Sequence, residues 1–304
     1  MSASAGDKLT HCGFVAVIGA PNAGKSTLVN ALVGAKVSIV SRKVQTTRIP
    51  LRGILVEGGC QLVFIDTPGI FVPRRRLDRA MVEAAWTGVK EADHVVLMID
   101  AAKGLDGDSE RILVKLAAAQ SPRVLALNKI DRVRKEQLLE LTRAINAKVP
   151  FRATFMISAL EGDGIGDLKR YLLDAAPIGP WHYPQDEVSD APLRVLAAEI
   201  TREKIYERLH DEIPYQATVE TTSWQEQANG VRIEQTILVE RESHKRIMLG
   251  KGGAQIRHLS ISARKELAII LEKPVHLFLV VKVCPGWGDD PERYRDMGLA
   301  FPKE

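Results

Sequence analysis

Apolar and polar positions along this chain fall into two patterns that meet near residue 190. In the first part, short apolar runs of strand length recur: GFVAVIGA (13–20), QLVFIDTPG (61–69), HVVLMIDA (94–101), RVLALNK (123–129) and TFMIS (154–158). Such unbroken runs suit strands buried on both faces. Helix-like stretches separate several of them: TLVNALVG, DRAMVEAAWTGVKEA, DSERILVKLAAA, KEQLLELTRAINA and IGDLKRYLLDAA. Strands alternating with helices predict a mainly parallel sheet covered on both sides. RIPLRGILVEGGCQLVFID adds a hairpin through Glu57-Gly58-Gly59, and so one antiparallel edge strand.

The pattern then changes. PIGPWHYPQDEVSDAP (177–192) carries four prolines in sixteen residues and reads as an interdomain linker, with Trp181 and Tyr183 expected to pack the domains together. Beyond it the periodicity predicts a helix (about 192–210), strands at 215–224 and 231–240, helices at 243–248 and 254–272, and a strand at 275–283. The order is α-β-β-α-α-β. The expected organisation is a flexible N-terminus (1–11), a first domain (12–178), a linker (179–191), a second domain (192–284) and a C-terminal tail (285–304).

Composition adds limits. The chain has 304 residues, 45% hydrophobic and 26% charged, which suits two soluble domains with real cores. Its three cysteines (Cys12, Cys60, Cys284) have no metal-like spacing, which argues against a disulfide framework or zinc site and suits a reducing cytosol. No signal peptide or membrane-spanning run is visible, so a cytoplasmic location is expected. From Ala191 to Glu304 seventeen basic residues balance seventeen acidic ones. Between Arg241 and Lys265, however, seven basic residues face one acidic residue, Glu242. A charge run is usually a solvated helix face; contact with a polyanion is the sharper reading.

Candidate chemistry begins at GAPNAGKST: Gly19, Ala20, Pro21, Asn22, Ala23, Gly24, Lys25, Ser26 and Thr27. It fits G-x-x-x-x-G-K-S between a strand and a helix, the context a phosphate loop needs. Backbone N–H groups and the helix N-terminus receive phosphate oxygens. Lys25 reaches the β- and γ-phosphates, and the Ser26 hydroxyl can ligate Mg²⁺. Downstream, Asp66-Thr67-Pro68-Gly69-Ile70 ends a strand, where open α/β sheets place ligands. Asp66 can hold Mg²⁺ directly or through water, and the Gly69 N–H can sense a γ-phosphate.

NKID (Asn128, Lys129, Ile130, Asp131) ends another strand. Asp131 can accept from N1–H and the exocyclic amine of guanine. Adenine offers no such donor pair, so ATP should be rejected. Asn128 and Lys129 would brace the base and the loop, and Ser158-Ala159-Leu160 would add a backbone N–H near the guanine oxygen. Four such motifs in this order point to a guanine-nucleotide site for GTP and GDP.

With these motifs the first domain resembles the translation-factor-related GTPases, implying an α/β P-loop GTPase fold. QTTR (45–48) lies where that group keeps its switch-I threonine. The resemblance implies Thr47 as the better Mg²⁺ ligand, with Thr46 as the alternative, and Lys25, Thr47 and Gly69 as the catalytic set. Ile70 stands where Ras-like GTPases place a water-orienting glutamine, and an aliphatic side chain cannot do that task. This resembles the branch with a hydrophobic residue there. In some of its members a phosphate-loop asparagine helps bind K⁺, and Asn22 holds that position. The expectation is slow intrinsic hydrolysis, Mg²⁺ dependence and K⁺ stimulation.

A second glycine loop, LGKGGAQI (249–256), has no Gly-Lys-Ser/Thr ending, and no DxxG or NKxD follows it. Its helix–GKGG–helix context resembles a type II KH domain, an α+β fold in which GXXG clamps single-stranded nucleic acid. The resemblance implies RNA contacts from Arg246, Gly250, Lys251, Gly252, Gly253, Ile256 and Arg257, with Leu259 and Ile261 building the groove or the core behind it. A bare helix connection is the plain alternative. His244 and His258 are expected at the surface or on phosphate. Arg74-Arg75-Arg76 would lie in a mobile switch-II loop, solvated or on RNA.

A GTPase domain with a hydrophobic residue after DTPG, then a KH domain, is similar to the Era-type GTPases over residues 12–300. That resemblance implies binding to the single-stranded 3′ region of small-subunit rRNA, work on the 30S subunit with a link to cell growth, and a monomer. It also implies peripheral contact with the cytoplasmic face of the inner membrane, for which the sequence shows no amphipathic anchor. Two rivals remain: a GTPase of tRNA modification, which should lack GXXG, and an RNA-binding protein whose first domain is only structural.

Overall fold

A computed structural model describes residues 9–119 and 121–302. The chain divides into two compact units. The first holds residues up to Val37, Thr47–Val72 and Met81–Asp190; the second holds Ser38–Thr46, Pro73–Ala80 and Ala191 onward.

In the first unit, β1 (His11–Gly19), β2 (Leu51–Glu57), β3 (Cys60–Asp66), β4 (His94–Asp100), β5 (Arg123–Asn128) and β6 (Thr154–Ile157) form one sheet in the order β2-β3-β1-β4-β5-β6. Every pairing is parallel except β2–β3. Gly58 and Gly59 close that hairpin at φ 60° and 86°, values that glycine adopts without a Cβ penalty. The buried strands β1, β4 and β5 feed two cores by alternation. Ala16 and Ile18 join α2 (Arg76–Glu91), α3 (Gly107–Ala117) and α4 (Lys135–Lys148) on one face. Val15 and Val17 join α1 (Lys25–Val33) and α5 (Ile165–Ala175) on the other. The C-terminal ends of the parallel strands therefore share one edge, where crevices for ligands form.

In the second unit, α6 (Leu193–Arg208), β7 (Ala217–Gln227), β8 (Gly230–Val239), α7 (Glu242–Leu249), α8 (Ala254–Ile270) and β9 (Val275–Val283) follow in the expected order. The sheet runs β7-β8-β9, antiparallel then parallel. Its core joins Ile200 of α6 to Ile233, Ala263 and Leu267, and Ile39 from the Ser38–Thr46 segment is part of the same cluster.

Several boundaries differ from the sequence reading. Residues 1–8 of the flexible N-terminus lie outside the described residues. His11 already begins β1, and Cys12 N–H donates to the Pro177 carbonyl. The proline-rich segment is not a free linker. Gln61, fully buried, accepts from the His182 and Tyr183 N–H groups and donates to the Tyr183 carbonyl. Trp181 donates to the Gly59 carbonyl. These two aromatics thus dress the β2–β3 hairpin of the first unit. Residues 285–302 are no loose tail either: Trp287, Tyr294 in α9 (Pro291–Asp296) and Leu299 are buried.

Candidate functional site

The phosphate loop follows β1, and two glycines set its path by close approach. A Cβ on Gly19 would lie 2.4 Å from the Met98 carbonyl oxygen, and one on Gly24 (φ 100°) 2.2 Å from Asn128 Nδ2. Lys25 opens α1 with a buried side chain whose ammonium donates to the Gly19 and Ala20 carbonyls at 3.2 and 3.0 Å. Burial pushes its pKa down to about 8, against an upward pull from Asp66. A cation with so little solvation is a strong receptor for an anion.

Three oxygens meet beside it. The Ser26 hydroxyl donates to Asp66 Oδ2 at 2.7 Å and lies 2.8 Å from Thr47 Oγ1, which is 3.4 Å from the same carboxylate oxygen. Thr47 and Asp66 are buried. Hydroxyl and carboxylate oxygens at the mouth of a phosphate loop fit Mg²⁺, which prefers hard oxygen donors and keeps part of its water. Of the two threonines, only Thr47 reaches this cluster; Thr46 Oγ1 donates to the Lys43 carbonyl instead.

The DTPG segment is fastened to the loop. Thr67 donates to the Val17 carbonyl at 2.8 Å, and Ile70 N–H to the Gly19 carbonyl at 3.1 Å. A Cβ on Gly69 would sit 3.0 Å from Pro21 Cα. The Ile70 side chain is buried in the core with Ala20 and Trp86. It has no polar atom to offer a water.

Asn128 ties two loops together, donating to the Ala23 carbonyl at 2.7 Å and accepting the Ala159 N–H at 2.9 Å. Of the Ser158-Ala159-Leu160 segment, the Ala159 N–H is therefore already engaged, and the Leu160 side chain is exposed. Asp131, exposed at the start of a 3₁₀ turn (Ile130–Arg132), accepts from the Ser158 hydroxyl at 2.7 Å. That hydrogen bond is the main cause holding its carboxyl below the ordinary range. Lys129, at φ 65°, donates to the Asn22 carbonyl at 2.8 Å and to Asp100 Oδ2 at 2.6 Å. Asp100 was missed in the sequence. The available signal was a carboxylate at the end of β4, the strand between those that carry the phosphate loop and NKID; Asp100 and Asn128 are partners in register.

In the second unit, GKGG joins α7 to α8. Gly250 has φ 72° and ψ 174°, and a Cβ there would strike Gln255 Cβ at 2.7 Å. Gly252 and Gly253 have φ 59° and 75°, and a Cβ on either meets nothing within 4 Å. Their backbone is open for close approach. Lys251, Arg246 and Arg257 are exposed around them. Leu259 is buried in the core with Ile256 at its margin, whereas Ile261 is exposed. His258 is exposed, but His244 is buried, contrary to expectation. Arg74–Arg76 are not simply solvated: Arg75 donates to the Tyr215 carbonyl and Gln45 Oε1, and Arg76 pairs with Asp289 and stacks on Phe301.

Comparison with known proteins agrees with this geometry. Residues 14–129 match the family described as 50S ribosome-binding GTPase, and residues 212–288 match the KH domain. GTPase Era of Afipia carboxidovorans is 64% identical over 296 residues, covering 97% of this chain and 96% of the relative. GTPase Era of Rhizobium meliloti is 61% identical over 301 residues, covering 99% and 96%. A crystal structure of Era in complex with MgGDPNP and nucleotides 1506–1542 of 16S ribosomal RNA superposes with a TM-score of 0.91 at 38% identity, covering 95% of this chain and 99% of that one. A single-residue variant of Aquifex aeolicus Era bound to GDP·AlF4⁻ gives the same TM-score and coverage.

Proposed function

Because this chain belongs to the Era family of GTPases, we propose that it couples GTP hydrolysis to binding of the single-stranded 3′ region of 16S rRNA during assembly of the 30S subunit. Lys25 and the loop N–H groups hold the phosphates. Ser26, Thr47 and Asp66 would hold Mg²⁺, which neutralises charge on the transferring phosphoryl group. Asp131 selects guanine, steadied by Ser158, while Asn128 and Lys129 lock its loop to the phosphate loop. With Ile70 buried, no side chain at that position orients the attacking water, and intrinsic hydrolysis is slow.

One observation carries the RNA half: Gly252 and Gly253 leave open space between two helices, ringed by exposed Lys251, Arg246 and Arg257. That is the form of a single-strand backbone clamp. The similar structure that holds 16S nucleotides 1506–1542 supports the choice of RNA. GTP favours the RNA-competent state, since a ligand shifts an equilibrium only by binding its two states unequally. In-cell crosslinking of the wild type against Gly253→Asp tests the reading. Loss of a 16S 3′-end signal in the variant supports it; a signal spread over tRNAs sinks it.

Three finer points belong to the same reading. The protein acts as a cytoplasmic monomer. Asn22 contributes to K⁺ stimulation, which equal turnover in Na⁺ and K⁺ would refute. Peripheral membrane contact and a link to cell growth rest on family resemblance. Among the described residues no helix is long and apolar enough to cross a membrane.

A further inference from the structure

Within the first unit, the turn after β6 folds back tightly on the strand it leaves. Gly164, the residue before α5, has φ 69°, and a Cβ there would lie 2.4 Å from the Met156 carbonyl oxygen and 3.2 Å from Ile157 Cγ2. A side chain at this point would push the turn off the end of β6. Gly162 has φ 92°, yet a Cβ on it would meet nothing within 4 Å. Of these two glycines, only Gly164 makes the close approach.

The fold-back fixes Ser158, which is buried. Its N–H donates to the Asp163 carbonyl at 3.0 Å, and its own carbonyl accepts the Gly162 N–H at 2.8 Å. Its hydroxyl accepts the Glu161 N–H at 3.3 Å and donates to Asp131 Oδ1 at 2.7 Å. A serine hydroxyl has one proton. With the Glu161 N–H on a lone pair, that proton goes to Asp131. Arg132 Nε stands farther off, 3.6 Å from Asp131 Oδ2, so the Ser158 hydroxyl is the closer hold on the carboxylate.

Guanine presents two donors, N1–H and the exocyclic amine; hypoxanthine presents N1–H alone. A carboxylate free to turn still meets one donor, but meeting both needs a fixed plane. We propose that Gly164 is a positioning residue for base recognition: by seating the 158–164 turn it aims the Ser158 hydroxyl at Asp131, and so sets how far the site prefers guanine over hypoxanthine nucleotides. The inference rests on reading Asp131 as the residue that accepts from the base.

The test titrates the full chain, with Mg²⁺, with GDP and with IDP in competition with a fluorescent GDP analogue. Gly164→Ala and Ser158→Ala should lower the GDP-to-IDP affinity ratio by about fivefold or more, the scale of one hydrogen bond to a charged group. IDP affinity should change less than GDP affinity. Gly162→Ala puts its Cβ in open space and Ser158→Thr keeps the hydroxyl; both should hold the ratio within about twofold of wild type. Asp131→Ala is the reference and should abolish the preference. If Gly164→Ala leaves the ratio unchanged, lowers both affinities in parallel, or does no more than Gly162→Ala, the inference fails and the Asp131 reading stands. Should Gly164→Ala not fold, Ser158→Ala decides, because it leaves the backbone as it is. An unchanged ratio, or a loss that Ser158→Thr shares, then overturns the inference; a loss that Ser158→Thr restores supports it. If Asp131→Ala keeps the wild-type ratio, both fail.

Discussion

Lys129 and Asp100 form an ion pair at 2.6 Å, and the same ammonium donates to the Asn22 carbonyl at 2.8 Å. One carboxylate on β4 thus holds the guanine-binding loop against the phosphate loop. Asp100→Asn keeps the shape and removes the charge. The expected cost is about 1–2 kcal/mol of nucleotide affinity, roughly a tenfold faster release. Stopped-flow dissociation of a fluorescent GDP analogue measures it; unchanged release would leave Asp100 a bystander.

Lys25 makes nucleotide binding depend on pH. Its pKa in the folded protein is lowered to about 8, mainly by burial. Between that value and the ordinary lysine value, the unfolded chain holds a proton that the folded chain has lost. The ligand-free protein should therefore gain stability as pH rises through this window, and below it the burial penalty is felt in full. A bound polyphosphate restores the charged form. GTP binding above pH 8 should take up a proton, and affinity should fall as pH rises, by at most about tenfold per unit. Calorimetric titration in buffers of different ionisation enthalpy reads the proton directly.

Asp131→Asn should change which base is accepted. The carboxylate offers two acceptors to the two guanine donors; an amide offers one acceptor and one donor. Guanine affinity should drop by about 3 kcal/mol or more, roughly a hundredfold, because a donor is left unpaired. Xanthine nucleotides, whose ring presents a donor beside a carbonyl, should gain. Competition binding with GDP and XDP measures the exchange.

The glycines of GKGG should separate stability from recognition. Gly250→Ala places a Cβ against Gln255 in a backbone region that only glycine enters freely, and should destabilise the second unit by about 2–3 kcal/mol. Gly252→Ala meets open space and bears only the positive-φ penalty of about 1 kcal/mol. It should lower the thermal midpoint clearly less than Gly250→Ala does, while weakening RNA binding several-fold. Unfolding and filter-binding measurements on both variants check the contrast; equal effects on either readout would contradict it.

Periodicity and turn chemistry made most elements readable. Apolar runs ending in GxxxxGKS, DTPG and NKID put each motif at a strand end, and Glu57-Gly58-Gly59 placed the antiparallel edge. What stayed hidden depended on contacts distant in sequence. Asp100 looked like any residue at the end of a strand until register put it beside Asn128. The proline-rich stretch read as a linker because Pro and acidic residues lower local order. Gln61, 122 positions from Tyr183 in sequence, holds it in place. The C-terminal segment lacked a long apolar run, yet Trp287, Tyr294 and Leu299 bury enough surface to dock it. His244 followed the same rule: on a short helix rich in polar residues, the sequence does not announce which of them turns inward.

The second unit is assembled from three separate lengths of chain, Ser38–Thr46, Pro73–Ala80 and the residues from Ala191 onward. This has a consequence for synthesis. The ribosome releases Ile39 well over a hundred residues before α6 exists. Ile39 has no finished core to enter until the last third of the chain has emerged. A polypeptide stopped at residue 190 would carry a complete sheet and phosphate loop but would leave Ser38–Thr46 without the helix on which Ile39 packs. The order of translation thus leaves Ile39 and its neighbours without a core until the last helices and strands of the second unit have been made.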